Sequence, residues 1–296
     1  MQYKKIEIEI MNFQILKEVP SASGIVKFKN DFFVIGDDSP YLFSIDKDFN
    51  FISKQLIYSA KTLLENRIPK IEKPDFEAME MISENEILVF GSGSKSPERD
   101  VCIWIKLGVE LSHKEYNITP FFNYLRSLEI MQGYELDIEG LAQHGELLYL
   151  LNRGRNVVFT ISLQKFLAYC QTGADFPNPQ TKLFSLPKIK GLESGFSGAT
   201  VFGDKPYLIF TASVEDSPNA YDDGDILGSF IGVIEINKEG IGDDFLIQKV
   251  DYEKNPLKVE SIVIDKVKSK KELDLALVTD NDGETSEILK VRMTLE

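Results

Sequence analysis

Five short segments of the chain begin with a serine or a glutamate, followed by a small residue and a run of alternating apolar positions. The first residues of these segments are Ser23, Glu77, Glu139, Ser197 and Glu260. They are separated by 54, 62, 58 and 63 residues, so the pattern recurs at a nearly constant interval. The recurrence predicts five structural repeats, each of which contributes one oxygen-bearing side chain to a common place.

Three glutamates and two serines gathered around one axis would concentrate negative charge. Because the carboxylates repel one another, either their pKa values rise or a cation lies among them. A flexible ring of mixed oxygen ligands suits Ca²⁺ better than Mg²⁺. Ser197 would then supply a neutral oxygen, from its hydroxyl or its backbone, where a fourth carboxylate would overcharge the site. The alternative is a wet polar channel in which the glutamates are simply solvated.

The elements that must position these residues are short strands. Each aligned segment is followed by a second apolar run, and then by a third. The second runs are DFFVIG, EILVFG, ELLYLL, PYLIFT and LDLALV, and the third runs are YLFSI, VCIWI, VVFTI, FIGVIEI and EILKV. Repeats of several short strands at this length predict the four-stranded antiparallel blades of a β-propeller.

The last blade has only three strands before the chain ends at Glu296. We expect the unassigned strand KIEIEIMNF (residues 5–13) to supply the fourth and so to remove an open sheet edge. The sequence therefore predicts an all-β, five-bladed propeller in a single domain over residues 1–296, with six blades as the alternative. Residues 162–170, with Ser162 as cap and Gly173 as stop, are expected to be helical, as are residues 121–131.

The ordered set Ser-Glu-Glu-Ser-Glu resembles the calcium-dependent apyrases, the calcium-activated nucleotidases, which are five-bladed propellers. The flanking segments GFSGATVF, FFVIGDDSPYLFSI, LYLLNR and TASVED are similar too, although Ser39 and Pro40 follow the Asp37-Asp38 pair where that family has a basic residue. The similarity to phytase-like propellers is looser. The resemblance implies a central Ca²⁺ held by Ser23, Glu77, Glu139, Ser197 and Glu260.

The turns after the second runs are expected to lie on the same face as the ring. The connector ahead of Glu77 (residues 66–75) is expected there too. Cations gather in this connector and in the turns of blades two and three, and acids in the turns of blades four, five and one, including Asp222, Asp223, Asp225, Asp280 and Asp282. This segregation predicts a site for a small anionic ligand, which could contain phosphate. The candidate ligand-binding residues are Asp37, Asp38, Arg67, Lys73, Arg99, Arg153, Arg155, Glu215 and Asp216. A second Ca²⁺ in the acidic loop at residues 222–225 is a further hypothesis.

Composition excludes several classes of function. The formal net charge of −14 argues against general nucleic-acid binding and against anionic membrane surfaces. No apolar run approaches the length of a membrane helix, and no signal peptide is visible, so the simplest expectation is a cytoplasmic protein. A mature exported form would look the same. The only histidines, His113 and His144, make a Ser-His triad or a histidine zinc site a poor hypothesis.

Two functions of different class fit these residues. The first is a Ca²⁺-dependent hydrolase of phosphate or other acidic esters, in which the ion polarises the ester and an acid such as Asp38 directs water. The second is a metal-stabilised propeller that binds an anionic small molecule or a protein partner without chemistry. The substrate and the oligomeric state stay open at this point.

Overall fold

The structure is a computed structural model, and it describes residues 2–203, 206–216, 224–250, 252, 256–280 and 285–296. It contains five four-stranded antiparallel sheets, as the repeats predict. The chain begins with the long strand β1 (Ile6–Pro20). Of the helices among the described residues, none is long and apolar enough to cross a membrane.

The five blades follow one another along the chain, and each blade begins with its innermost strand. The strands of blade one are β2 (Ala22–Phe28), β3 (Asp31–Gly36), β4 (Tyr41–Ile45) and β5 (Phe51–Leu56). Those of blade two are β6 (Phe76–Ser83), β7 (Glu86–Gly91), β8 (Val101–Lys106) and β9 (Ser112–Asn117). Those of blade three are β10 (Ile138–His144), β11 (Leu147–Asn152), β12 (Val157–Ser162) and β13 (Gln180–Leu183).

A small hairpin that the repeat pattern did not predict links blades three and four. Its strands are β14 (Lys188–Ile189) and β15 (Leu192–Glu193). The strands of blade four are β16 (Gly195–Phe202), β17 (Tyr207–Asp216), β18 (Asp225–Asn237) and β19 (Gly240–Val250). Those of blade five are β20 (Val259–Val267), β21 (Glu272–Thr279) and β22 (Thr285–Leu295).

Strand β1 completes blade five as its fourth strand, which confirms the predicted closure. It pairs antiparallel with β22, from Ile6 opposite Leu295 to Pro20 opposite Thr285. The innermost strands β2, β6, β10, β16 and β20 contact one another in a closed cycle, so they surround a common axis. The fold is therefore a five-bladed β-propeller and not the six-bladed alternative.

Each pair of neighbouring blades shares its own apolar cluster. Five clusters are present, and each draws its buried residues from two adjacent sheets. This explains why the second strand of each blade is apolar on both faces, since each sheet packs between two others. The cluster between blades four and five includes Ile6 of β1, so the first strand belongs to the core.

Two helices lie beside blades two and three, as the sequence predicts. Helix α1 (Thr119–Ser127) is followed by a 3-10 turn at Glu129–Met131. Helix α2 (Leu163–Thr172) begins at the cap Ser162, whose hydroxyl accepts a hydrogen bond from Lys165 N at 3.3 Å, and ends at Gly173 in the left-handed conformation. Both helices pack on the cluster between those blades, away from the ring.

Candidate functional site

Each ring residue is the additional residue of a β-bulge in the innermost strand of its blade. In blade one, Ala22 pairs with Gly36 and Gly24 pairs with Ile35, which leaves Ser23 without a partner across the ladder. The same interruption occurs at Glu77, Glu139, Ser197 and Glu260. A bulge bends its strand and re-aims the side chain of the additional residue. The five positions are therefore equivalent in backbone structure as well as in sequence.

The two ring serines connect neighbouring blades. The Ser23 hydroxyl donates to Phe76 O, and the Ser197 hydroxyl donates to Val259 O at 2.6 Å. Each of these carbonyls belongs to the residue just before the next ring glutamate. Because a serine hydroxyl has one proton, each serine oxygen keeps lone pairs that can accept further contacts.

The three ring glutamates are partly or fully buried and interact electrostatically with one another. Glu139 and Glu260 are 8% and 5% exposed, and Glu77 is half-buried. Burial and the neighbouring Glu139 carboxylate raise the pKa of Glu77 well above its usual range. Burial also raises the pKa of Glu139, against the opposing effect of Arg153, and that of Glu260, against Lys258. The ring therefore resists full ionisation when no cation is added to it.

One carboxylate oxygen of Glu260 lacks a partner. Lys258 Nζ lies 3.3 Å from Glu260 Oε1. The other oxygen, Oε2, is buried and accepts no hydrogen bond from any residue that the structure describes. A buried carboxylate oxygen is costly unless a proton, a water or a cation satisfies it.

Sequence reasoning missed three charged residues at the ring. They are Asp75, Asp137 and Lys258, and each lies two positions before a ring glutamate. Burial raises the pKa of Asp137 to about 7, although Arg153 acts in the opposite direction. The repeat alignment carried the signal, because extending it by two residues toward the N-terminus would have found all three.

Blades one and two meet at a set of ion pairs. Lys73 Nζ pairs with Asp37 and lies 2.7 Å from Asp75 Oδ1. Arg99, which is almost fully buried, also pairs with Asp75. Although burial opposes its ionisation, Lys73 and Arg99 hold the pKa of Asp75 below its usual value. The Lys73 ammonium therefore occupies the space between these carboxylates.

Asp38 and Arg67 form a separate pair at the outer side of this set. Arg67 Nη1 donates to Asp38 Oδ2 at 2.9 Å. Burial and the adjacent Asp37 carboxylate nevertheless raise the pKa of Asp38 to about 6. Asp38 is therefore a carboxyl group that changes its charge near neutral pH.

Blades three, four and five meet at a second set of longer ion pairs. Arg153 lies 3.5 Å from Glu139 Oε2 and 3.4 Å from Glu215 Oε2. Lys258 lies 3.3 Å from Glu215 Oε2 and 3.3 Å from Glu260 Oε1. Although burial opposes its charge, Glu139 and Glu260 raise the pKa of Arg153 above its usual value. These two cations bridge the ring to the end of strand β17 in blade four.

Carboxylates outnumber cations in this cluster, which we call the mouth cluster. Its eight acidic members are Asp37, Asp38, Asp75, Glu77, Asp137, Glu139, Glu215 and Glu260. Its five basic members are Arg67, Lys73, Arg99, Arg153 and Lys258. If every member is ionised, the described residues leave an excess of negative charge that one divalent cation would largely neutralise.

The predicted separation of cations from acids is not what the structure shows. The expected cations Arg67, Lys73, Arg99 and Arg153 pair with acids of the mouth cluster. Arg155 instead turns outward, donates to Ile130 O and Gln132 Oε1, and covers the Tyr134 ring. Asp216 is exposed at the end of β17. Asp222, Asp223 and Asp282 lie outside the described residues, as does half of the loop at residues 222–225 proposed for a second Ca²⁺.

One further acidic group lies beside the ring. Asp37, Asp75 and Glu77 each place one carboxylate oxygen within 4.8 Å of the others. Such proximity could hold a metal ion, but Lys73 already pairs with two of these residues. A metal ion in this acidic group would have to displace the Lys73 ammonium, whereas a metal ion bound to Glu260 Oε2 would not have to displace a hydrogen-bond donor of the described residues from that oxygen.

Glu80 lies three residues beyond Glu77 on β6, and its burial supports a stability prediction. Burial raises its pKa to about 8, although the backbone N–H groups of Met81 and Gln143 act in the opposite direction. Because the folded pKa exceeds the unfolded one, this group's contribution to stability falls as pH rises between about 4.3 and 8. Glu80→Gln should therefore raise the melting temperature at pH 8 and leave it nearly unchanged at pH 4.

The measurement is thermal unfolding across that pH range. The stability gained by Glu80→Gln over wild type should grow by up to about 1.4 kcal/mol per pH unit. Glu84→Gln, in the exposed turn after β6, is the matched control and should show no such dependence. Parallel pH profiles for the wild type and Glu80→Gln would contradict the prediction.

One known protein family matches nearly all of the chain. The model of a family of unknown function, DUF6929, matches residues 18–293. The chain belongs to this family. The match includes all five ring residues and the whole mouth cluster, so the site described above is part of the DUF6929 domain. A search among curated proteins found no match to the sequence.

Solved structures share the fold with this DUF6929 chain at low sequence identity. Glutaminyl cyclase from Myxococcus xanthus is 8% identical, with a TM-score of 0.55 over 98% of this chain and 97% of the cyclase. Regucalcin from Agrobacterium tumefaciens, a calcium-binding protein, is 10% identical, with a TM-score of 0.44 over 96% and 95% of the two chains. At this identity the similarity to the cyclase shows the fold and nothing about activity.

Proposed function

We propose that this protein is a calcium-binding propeller that holds one Ca²⁺ in the ring at the channel mouth. The observation that carries the proposal is the buried Glu260 Oε2, which lacks a hydrogen-bond partner among the described residues and lies in a cluster with excess carboxylates. Glu77, Glu139 and Glu260 would supply the charged oxygens, and Ser23 and Ser197 the neutral ones. Three carboxylates and two neutral oxygens match the hard, many-oxygen environment that Ca²⁺ prefers.

The surrounding residues support the same assignment. The serine protons are donated to backbone carbonyls, and although Ser197 Oγ also lies 3.1 Å from Thr211 Oγ1, each serine oxygen keeps a lone pair for a cation. Arg153 and Lys258 contact the ring glutamates at 3.3–3.5 Å, so neither cation fully neutralises them. Bound in the ring, Ca²⁺ would supply a positive centre that could hold or polarise an oxygen of an anionic ligand.

The test is calorimetric titration of chelator-treated protein with Ca²⁺, together with thermal unfolding. Ca²⁺ at 100 times its Kd should stabilise the wild type by about 2.7 kcal/mol, which corresponds to a rise of several degrees in Tm. Glu139→Gln and Glu260→Gln should each weaken Ca²⁺ binding by at least roughly tenfold to a hundredfold, because they remove a direct ligand.

Two controls locate the ion. Glu80→Gln removes a half-buried carboxyl from the same strand as Glu77 and should leave Ca²⁺ affinity unchanged. Asp37→Asn disrupts the acidic group beside the ring and should change affinity only slightly. If Asp37→Asn abolishes binding while Glu260→Gln does not, the ion lies in that other group. If the wild type unfolds identically in Ca²⁺ and in chelator, the proposal fails.

A second candidate function is Ca²⁺-dependent hydrolysis of phosphate or other acidic esters. It is favoured by Asp38, whose pKa is about 6 and whose buried Oδ1 has no hydrogen-bond partner among the described residues, as suits a group that accepts a proton from water. The Ser-Glu-Glu-Ser-Glu order is also the feature that resembles the apyrases. A panel of phosphomonoesters, nucleoside diphosphates and carboxylic esters, assayed with Ca²⁺ and with chelator, separates this candidate from a protein that only binds.

A further inference from the structure

A pocket of about 370 Å³ opens between blades three and four beside the ring. Its wall includes Tyr134, Arg153, Arg155, Phe184, Ser213 and Glu215. The volume falls within the range of small-molecule sites, toward its lower end. Arg153 belongs both to this wall and to the mouth cluster, so the pocket and the ring are adjacent.

Ser213 places a hydroxyl group without a partner in this wall. The residue is 1% exposed, and its Oγ makes no hydrogen bond with any described residue. It lies on β17 directly opposite Gly195, which also lines the pocket. A buried hydroxyl without a partner is costly, so this group is expected to bind a molecule in the pocket.

The Arg153 guanidinium pairs with Glu139 and Glu215 but makes few hydrogen bonds to the residues that the structure describes. Arginine has five N–H donors, but the described residues give Arg153 one side-chain hydrogen bond, to Glu215 at 3.4 Å. Glu215 has other partners, because it also accepts from Gly224 N at 2.8 Å and pairs with Lys258. Arg153 could therefore turn its fork toward a ligand without leaving Glu215 unpaired, although it would give up its 3.5 Å contact with Glu139 Oε2.

Gly195 creates the space in which Arg153 lies. A Cβ atom at position 195 would stand 2.4 Å from Arg153 Cγ, which is too close for two carbon atoms. Gly195 is the first residue of the segment GFSGAT, so this glycine fixes where the arginine stem can pass. Any side chain at position 195 would move the guanidinium away from its present place.

The outer part of the pocket is aromatic and positively charged. The Arg155 guanidinium covers the Tyr134 ring at 5.0 Å and is held by Gln132 Oε1 at 2.9 Å. Phe184 is buried beneath this region. The nearby Glu193 carboxylate is already engaged by Leu186 N at 2.9 Å. Hydrogen-bond donors therefore outnumber free acceptors, which favours a ligand rich in acceptor oxygens.

We propose that this pocket binds a small organic anion whose carboxylate or phosphate group lies between Arg153 and Ser213, with an apolar body against Tyr134. A planar fork of N–H donors matches the paired oxygens of either group. The inference extends the proposed function, since the acidic group of the ligand would lie next to the Ca²⁺ ring. The pocket itself is built without any ring residue, so the two proposals can fail separately.

The experiment is calorimetric titration of the protein with four probes, in Ca²⁺ and in chelator. The probes are phenyl phosphate, benzoate, inorganic phosphate and the neutral benzyl alcohol. We expect phenyl phosphate or benzoate to bind at least tenfold more tightly than benzyl alcohol. Whichever of the two binds more tightly shows whether the pocket prefers a phosphate or a carboxylate group. Inorganic phosphate should bind more weakly than phenyl phosphate, because it lacks the apolar body.

Three variants test the contacts. Arg153→Gln should weaken binding of the preferred probe by at least roughly tenfold, since it removes charge-assisted hydrogen bonds. Ser213→Ala should weaken it severalfold. Gly195→Ala preserves every charge and should nevertheless cause most of the loss in probe affinity that Arg153→Gln causes. It keeps the proposal testable if Arg153→Gln folds poorly. Arg292→Gln, on β22 and outside the mouth cluster, is the control and should bind like the wild type.

The outcomes separate the two proposals. If Ca²⁺ binds but neither acidic probe does so at millimolar concentration, the pocket proposal is wrong and the calcium proposal stands. If an acidic probe binds, Arg153→Gln abolishes that binding and no Ca²⁺ binds, the calcium proposal is wrong and the pocket proposal stands. Equal probe binding by the wild type, Arg153→Gln and Gly195→Ala would also overturn the pocket.

Discussion

Removal of residues 2–13 is expected to abolish stable folding or to lower the melting temperature by tens of degrees. These residues form most of β1, and they pair with β22 from Leu289 to Leu295. Their loss would uncover the edge of β22 and would take the buried Tyr3 and Ile6 from the cluster between blades four and five. An uncovered sheet edge also promotes aggregation.

Thermal unfolding and size-exclusion chromatography would measure this effect, and point variants give a finer test. Ile6→Ala removes a side chain that is 3% exposed and should cost about 2–5 kcal/mol of stability. Met11 is 43% exposed and lies at an irregularity of the ladder, so Met11→Ala should cost roughly 0.5 kcal/mol or less. A shortened protein that unfolds at the wild-type temperature would show that β1 is dispensable.

Substitution of Gly198 by alanine should be strongly destabilising, even though only one methyl group is added. Its Cβ would lie 2.7 Å from Ser261 Cα and 3.0 Å from Glu260 O, both backbone atoms of the next blade. The backbone cannot move aside without separating β16 from β20 near the axis. Overpacking of this kind typically costs about 1–3 kcal/mol, and here it would also displace two ring residues.

The expected result is a melting temperature lower by several degrees, together with weaker Ca²⁺ binding. Gly108→Ala is the matched control, because Gly108 lies in an exposed loop and its added Cβ would approach only Glu110 O, at 3.2 Å. If Gly198→Ala is as stable as Gly108→Ala, the innermost strands are less tightly packed around the axis than the structure indicates.

Much of the fold could be predicted because the relevant signals are local. The alternation of apolar residues marks each strand, and the recurrence of Ser23, Glu77, Glu139, Ser197 and Glu260 marks the blades. Strand β1 was assigned to blade five because every other strand already had a place. The β14–β15 hairpin was missed, since two strands of two residues each are too short to show a period.

The five ring positions can be predicted from the sequence because they are five copies of one structural position. Each copy therefore needs the same short pattern of residues. Each copy needs an additional residue in its strand, followed by a residue small enough for close packing, as Gly198 shows. Asp75 and Asp137 obey the same alignment and were missed only because the comparison began two residues too late. Such a pattern lies in consecutive residues, so it can be recognised without knowing which residues of other blades are in contact with it.

The pairing of charges emerges only in three dimensions. Arg153 and Glu215 are 62 residues apart, and Lys73 and Asp37 are 36 apart, so nothing in their neighbouring residues specifies the contact. The described parts of the turns in blades one to four lie near the ring, as expected, but whether their cations and acids separate or pair depends on blade-to-blade spacing and side-chain direction. The Glu260 oxygen, which has no hydrogen-bond partner in the described part of the chain, and the pocket beside Arg153 exist for the same reason, because each is formed where residues of different blades meet.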